Sequence, residues 1–217
     1  MISFTNTPSQ LMFFSCNVAF SSMPVFLPTI VHEMGYSALT SQALSAPPYL
    51  FSFAFVLLTA YLSDKHRTRS TYIMFHSLLG ASGYLTLTLS GLFGWPVAVR
   101  YLALYPACVG FFSVVTLILT WTVNNQESDS GKGMGLTILG VVGQCGPLLG
   151  VQLFPDEDGP FYVKGMGTCA VFMLGVGVLA AVLRFVLLRE NRKRLDKYRN
   201  ARGEGDDDDS RPFLYMI

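Results

Sequence analysis

No aspartate, glutamate, lysine or arginine occurs between residues 3 and 32, 34 and 63, or 70 and 99. A water-soluble helix keeps a polar, usually charged face along its length, so runs like these do not belong to one. A helix crossing the hydrocarbon core needs about 20 predominantly apolar residues, and each gap is longer than that. Charged residues make up 13% of the 217-residue chain, about half the share of an ordinary soluble domain. The mean hydropathy is +0.44. These features exclude a soluble enzyme, a disordered chain and a disulfide-held scaffold. Cys16, Cys108, Cys145 and Cys169 all lie in apolar stretches without ligand spacing. They read as small buried hydrophobes, and neither a metal nor a cofactor is expected. A net charge of +1 gives no electrostatic basis for binding nucleic acid.

The fold class expected is an all-α membrane protein with six transmembrane helices, at about 11–31, 43–63, 71–91, 101–123, 133–154 and 165–188. Period-two alternation is absent and an open strand edge is not tolerated in lipid, so helices are preferred to a barrel. Residues 1–188 form the membrane domain, followed by a cytoplasmic tail, 189–217, that is first basic and then acidic. Lys65, Arg67 and Arg69 fall between spans two and three, and Lys132 between spans four and five. Arg189, Arg192, Lys193, Arg194, Lys197, Arg199 and Arg202 follow span six. The opposite side has only Arg100 and Lys164. Cytoplasmic loops are enriched in lysine and arginine, which places both termini in the cytoplasm. A cleaved signal peptide is not expected, because the first ten residues carry no basic residue and the apolar run after them is long. Trp95, Trp121, Tyr72 and Tyr101 lie near span ends, where amphipathic rings favour the headgroup layer. The basic part of the tail is expected against anionic headgroups, and the acidic run 204–209 in solvent.

The most informative segment is Ala60-Tyr61-Leu62-Ser63-Asp64-Lys65-His66-Arg67-Thr68-Arg69. A carboxylate at a helix end beside several cations can hold neighbouring helices by charge-assisted hydrogen bonds, made in one conformation and broken in another. A positive-inside loop with an incidental aspartate is the plainer alternative. The segment resembles the loop motif G-x-L-A-D-R-x-G-R-R of the major facilitator superfamily. Leu62, Asp64, Lys65 (for Arg) and Arg69 match, whereas Ala60 replaces the first glycine and Arg67 stands at the second. Further stretches resemble the fungal allantoate and nicotinate permease group of anion:cation symporters. They include Phe26-Leu27-Pro28-Thr29-Ile30-Val31, Ala46-Pro47-Pro48-Tyr49, Val99-Arg100-Tyr101, Trp121 with Asn124-Asn125, Gly159-Pro160-Phe161-Tyr162 and the terminal Arg211-Pro212-Phe213-Leu214-Tyr215.

This resemblance implies helices seven to twelve of a twelve-helix transporter, one half of the facilitator bundle. It implies a small organic anion as substrate, of the carboxylated vitamin or ureide class, moved by alternating access at the plasma membrane. The implied partners are the lipid bilayer and an N-terminal half or a full-length transporter. Asp64, Lys65 and Arg69 are the candidate gate residues. The group usually carries a Lys-Arg pair before span five, where this chain has Gly131-Lys132-Gly133. Asn17, Asn124, Gln144 and Arg100 are candidate cavity residues, with interhelical bonding or snorkelling as the alternative for each. No span holds an interior carboxylate, so proton coupling would fall to His76 in this half, which a packing role explains as well. The glycines of span five, Gly140, Gly143, Gly146 and Gly150, share one helix face suited to close helix contact. The G-x-G-x-x-A runs beginning at Gly165 and Gly175 follow no strand, and no catalytic constellation is present, so the chain is not read as an enzyme. A non-transporting half-transporter, acting as a membrane interaction protein or an inactive remnant, is the alternative function.

Overall fold

The computed structural model describes residues 6–20, 27–28, 31–32, 35–159, 161–203 and 212–217. Among them the regular structure is entirely helical. The long helices are α1 (Asn6–Phe20), α2 (Ala38–His66), α3 (Ser70–Phe93), α4 (Val97–Asn124), α5 (Asp129–Gly150) and α6 (Val163–Gly203). Short 3-10 turns at Val151–Leu153 and Asp156–Asp158 join the last two.

The helix starts and stops follow local chemistry. The Ser37 side chain accepts from the Thr40 amide at the start of α2, and Ser128 accepts from Gly131 at the start of α5. Each satisfies a donor that a helix N-terminus otherwise leaves bare. α3 ends where Gly94 takes a left-handed φ of 63° and returns its amide to Ser90, the usual use of glycine after a last turn.

Among the described residues, four helical stretches are long and apolar enough to cross a membrane: Ala38–His66, Val97–Asn124, Asp129–Leu153 and Val163–Asn200. α3 has comparable length, no charge and many hydroxyl side chains. Many of those hydroxyls bond their own helix: Ser77 to Met74, Ser82 to Leu79, Thr86 to Ser82, Thr88 to Tyr84 and Ser90 to Leu87. A hydroxyl satisfied in this way needs no water. The described part of α1 is 15 residues long.

α4 is the central helix. It touches α1, α2, α3 and α5, while α3 also lies along α6, and α1 along α5 and α6. The α3–α4 crossing is set by small residues. A methyl group on Gly83 would sit 2.5 Å from the Ala107 nitrogen, and one on Gly110 would sit 2.5 Å from the His76 carbonyl oxygen. Water drives helices together in soluble proteins; between helices in lipid, close backbone approach and dispersion take its place. The α1–α5 crossing uses the same device, since a methyl on Gly146 would lie 2.7 Å from the Phe14 carbonyl oxygen. Gly140 faces open space. Two phenols tie helices across the bundle: Tyr84 donates to the Ala19 carbonyl at 2.9 Å and Tyr101 to that of Leu44 at 3.0 Å. Leu50, Phe53, Leu57 and Tyr61 on α2 are exposed. Their i, i+3, i+7, i+11 spacing makes one continuous apolar stripe.

Two expectations change. The last helix does not stop near residue 188 but continues through Gly203, because no glycine or proline interrupts 178–202 and its leucine, arginine and lysine residues favour helix. Trp121 is not an interfacial ring: it is 1% exposed, covered by residues near the end of the chain. Of the stretch 21–34 only 27–28 and 31–32 are described, and the acidic run 204–209 lies outside the described residues.

These contacts give a paired prediction. Gly83→Val forces backbones apart and should destabilise the bundle by about 1–3 kcal/mol. Gly140→Ala meets open space and should stabilise it by roughly 0.5–1 kcal/mol. Thermal unfolding of the detergent-solubilised protein checks both signs, and equal behaviour of the two variants would refute the packing account.

Candidate functional site

The turn between α2 and α3 is closed by its backbone before any side chain acts. The Arg67 amide reaches the Asp64 carbonyl at 3.2 Å and the Thr68 amide the Ser63 carbonyl at 3.3 Å. To make both bonds, Arg67 adopts φ 51° and ψ 33°, a left-handed conformation that costs an L-residue about 1–2 kcal/mol. The facilitator motif has a glycine here, and the backbone explains why.

Side chains then stack on this turn. Ser63 Oγ donates to the Thr68 carbonyl at 3.0 Å and accepts from an Arg69 guanidinium nitrogen at 3.1 Å. The other terminal nitrogen of Arg69 pairs with an Asp64 carboxylate oxygen. The pair is asymmetric: the Arg69 side chain is 6% exposed and that of Asp64 64%. Arg69 Nε is buried with no hydrogen-bond partner among the described residues. A guanidinium held out of water with one donor unmet is costly, and such a group relies on the partners it has. From α6, Arg184 bonds Thr71 and, at 3.4 Å, Ser70 in the first turn of α3. His66 Nδ1 and the Tyr72 hydroxyl lie 2.6 Å apart across the turn.

Asn124, in the last turn of α4, reaches the same end. It lines with Arg69, Leu119, Thr120, Val123 and Leu136 a cavity of about 340 Å³. Arg69 therefore meets Asp64 on the turn and shares a cavity wall with Asn124. Lys65 is exposed and makes no ion pair among the described residues. Lys132, in the loop where the family motif has two cations, pairs with Asp129 at 2.8 Å, within its own helix start.

The remaining candidates lie elsewhere. Arg100 begins α4, and 24 residues at 1.5 Å each put it roughly 36 Å along the helix from Asn124. It is buried beneath Phe161, with its guanidinium carbon 4.5 Å from the ring centroid. Asn17 is buried at the α1–α5 crossing, where its amide donates to the Phe13 carbonyl at 3.0 Å. Gln144 is exposed. His76 bridges α3 and α2, with Nδ1 2.9 Å from the Tyr72 carbonyl and Nε2 3.0 Å from the Thr59 hydroxyl. Since a carbonyl only accepts, Nδ1 carries the proton and Nε2 accepts from Thr59.

Sequence reasoning missed Asn125, Asn191 and Arg194, which gather around residues 213–216. The available signal was polar side chains capable of paired bonding at a helix end and on a basic helix, beside an aromatic terminus.

Long apolar helices, close small-residue crossings and a charged turn at one end define an integral, all-helical membrane protein. Comparison with known proteins gives the class a family resemblance. The chain is 27% identical over 175 residues to the MFS-type transporter cnsO of Penicillium expansum, covering 80% of this chain and 34% of that protein. It is 26% identical over 186 residues to the high-affinity nicotinic acid transporter of Saccharomyces cerevisiae, covering 86% of this chain and 34% of that one. With an uncharacterized transporter of Schizosaccharomyces pombe it shares 28% over 221 residues, 95% of this chain and 44% of the relative. No family profile and no solved structure matches. Over most of its length, then, the chain resembles major facilitator superfamily transporters, a nicotinic acid transporter among them, and it spans 34% to 44% of the length of these three.

The left-handed turn makes its own prediction. Arg67→Gly should raise stability by about 1 kcal/mol, because glycine adopts that conformation freely. Arg67→Val should lower it. Denaturant or thermal unfolding in detergent reads both, and a less stable glycine variant would sink the backbone account.

Proposed function

We propose that the chain forms the C-terminal six-helix half of a major facilitator transporter that moves small organic anions by alternating access. The reading takes all six helices as membrane spans, with both chain ends in the cytoplasm and the plasma membrane as the site of action. The observation that carries it is the Asp64–Arg69 pair on the α2–α3 turn, where a buried cation and an exposed carboxylate meet at the end of two long helices. A charge-assisted contact in that position can be exchanged for another when helices tilt. Similarity to the nicotinic acid transporter supports a carboxylated substrate of the vitamin or ureide class. The cavity in such a transporter lies near the bilayer midplane between two halves, so this chain supplies one wall. Asn17, Gln144 and Arg100 remain candidates for it. Proton coupling, where present, uses a carboxylate of the other half or His76.

A second reading is a half-transporter that does not transport but binds a full-length relative. The exposed apolar stripe of α2, which has room for a second bundle, favours it. Patches of that size on a water-facing surface are uncommon and mark interaction or lipid contact.

Uptake of radiolabelled nicotinate and allantoate separates the readings. Cells producing this chain together with the N-terminal half of a relative should accumulate label, and Asp64→Asn should cut that uptake about tenfold, the equivalent of one charge-assisted bond, at equal membrane abundance. Uptake absent with every N-terminal half, alongside co-purification with a full-length transporter, would establish the second reading instead.

A further inference from the structure

Residues 212–217 have no regular secondary structure, yet a set of side chains from α4 and α6 holds them in place. Two side-chain amides read the segment as a neighbouring strand would. Asn125, just past the end of α4, accepts from the Met216 amide at 2.8 Å and donates to the Met216 carbonyl at 3.2 Å. Asn191, on α6, accepts from the Tyr215 amide and donates to the Tyr215 carbonyl, both at 2.8 Å. Trp121 Nε1 also donates to the Met216 carbonyl, at 2.8 Å. Arg194 donates to the Phe213 carbonyl at 3.1 Å and to the Tyr215 hydroxyl at 2.7 Å, and its guanidinium carbon lies 4.5 Å from the Tyr215 ring centroid. Glu127, on the turn after α4, holds that arginine at 2.7 Å.

The reading groups are themselves withdrawn from solvent: Asn125 is 5% and Asn191 9% exposed. A buried amide whose donor and acceptor both find partners specifies one arrangement, and one left without them is costly. Because an asparagine offers a donor and an acceptor on one plane, each can pair both backbone groups of a single extended residue. Tyr215 is read through its side chain as well, by ring and hydroxyl together.

The docked segment reaches the charged turn. The Arg69 amide donates to the main-chain oxygen of Ile217 at 2.7 Å. Arg69 precedes the first residue of α3 and supplies no side-chain cap of its own. It is therefore fastened twice, by its guanidinium to Asp64 and by its amide to the segment.

We propose that residues 213–217 are an intramolecular peptide ligand for a cradle built from Trp121, Asn125, Asn191 and Arg194, and that seating it locks the α2–α3 turn, with its Asp64–Arg69 pair, onto α4 and α6. Release of the segment removes the Arg69 amide bond and leaves the turn tied to α6 through Arg184. The ligand class is an extended peptide carrying a tyrosine followed by an apolar residue whose amide and carbonyl are both paired, and the site takes it whether or not the chain transports anything.

Amide hydrogen exchange in detergent tests the lock without reference to uptake. Ending the chain after Ser210 should speed exchange at Arg69 about tenfold, the loss of one bond, and also over 121–126. Adding the synthetic peptide Pro-Phe-Leu-Tyr-Met-Ile should restore protection in the truncated chain, but not in one that also carries Asn125→Ala and Asn191→Ala. Unchanged exchange on truncation, or no response to the peptide, overturns the proposal. Should the shortened chain not fold, the full chain gives the answer. Asn125→Ala with Asn191→Ala in the full chain removes four of the bonds that seat the segment and should speed exchange at Arg69 about tenfold. Unchanged exchange at Arg69 in that variant overturns the seated segment.

Discussion

A helix facing hydrocarbon has no water to satisfy its polar groups, and this constraint organises most of the molecule. Hydroxyl side chains on α3 return to their own carbonyls. Phenols spend their protons on distant backbone oxygens and so tie α1 to α3 and α2 to α4. Asn17 closes on its own helix, and His76 divides its two nitrogens between α3 and α2. With polar groups satisfied internally, the helices are left to meet through dispersion, which is why their crossings depend on glycine and alanine.

Charge is confined to the ends, and the two ends solve the problem differently. At the start of α4, Arg100 lies against an aromatic ring, a contact that itself stabilises a cation. At the other end, Arg69 is buried beside a carboxylate that remains in solvent. The exposed carboxylate is screened by solvent, while the buried guanidinium depends on the partners it has. Burial fixes the cation in place and leaves its carboxylate partner facing solvent, the asymmetry on which the proposed gate role of this pair rests.

The helical architecture was legible because a charge-free run as long as 3–32 or 70–99 fits little besides a helix in lipid. The expected ranges 43–63, 71–91, 101–123 and 133–154 lie inside or within a few residues of α2, α3, α4 and α5. Ranges 43–63 and 133–154 start late because the caps Ser37 and Ser128 begin their helices ahead of the apolar parts, and α6 runs on past 188 because nothing in its basic continuation breaks a helix. The Asp64–Arg69 contact was legible because both residues belong to one short loop motif. The cradle was not. Asn125 and Met216 are 91 residues apart, and side-chain amides that pair with a distant backbone leave no periodicity or spacing to read. Trp121 was misread for the same reason, since an indole near a span end looks interfacial until something covers it.

The distribution of close contacts also limits where the bundle can move. α3 and α4 approach so closely at Gly83 and Gly110 that sliding one past the other would drive backbone into backbone, and tightly packed interfaces switch between discrete arrangements rather than deforming continuously. α2 lies chiefly against α4, through larger side chains and the Tyr101 hydroxyl, with its outer face open. Its C-terminal end is joined to α3 by the left-handed Arg67 turn, and that turn is pinned to the terminal segment through Arg69. In the proposed mechanism a tilt of α2 relative to the α3–α4 pair pivots at the Asp64–Arg69 turn. The small-residue crossings supply the rigid frame for it, the left-handed turn the hinge, and the docked segment the tie that holds that hinge through Arg69.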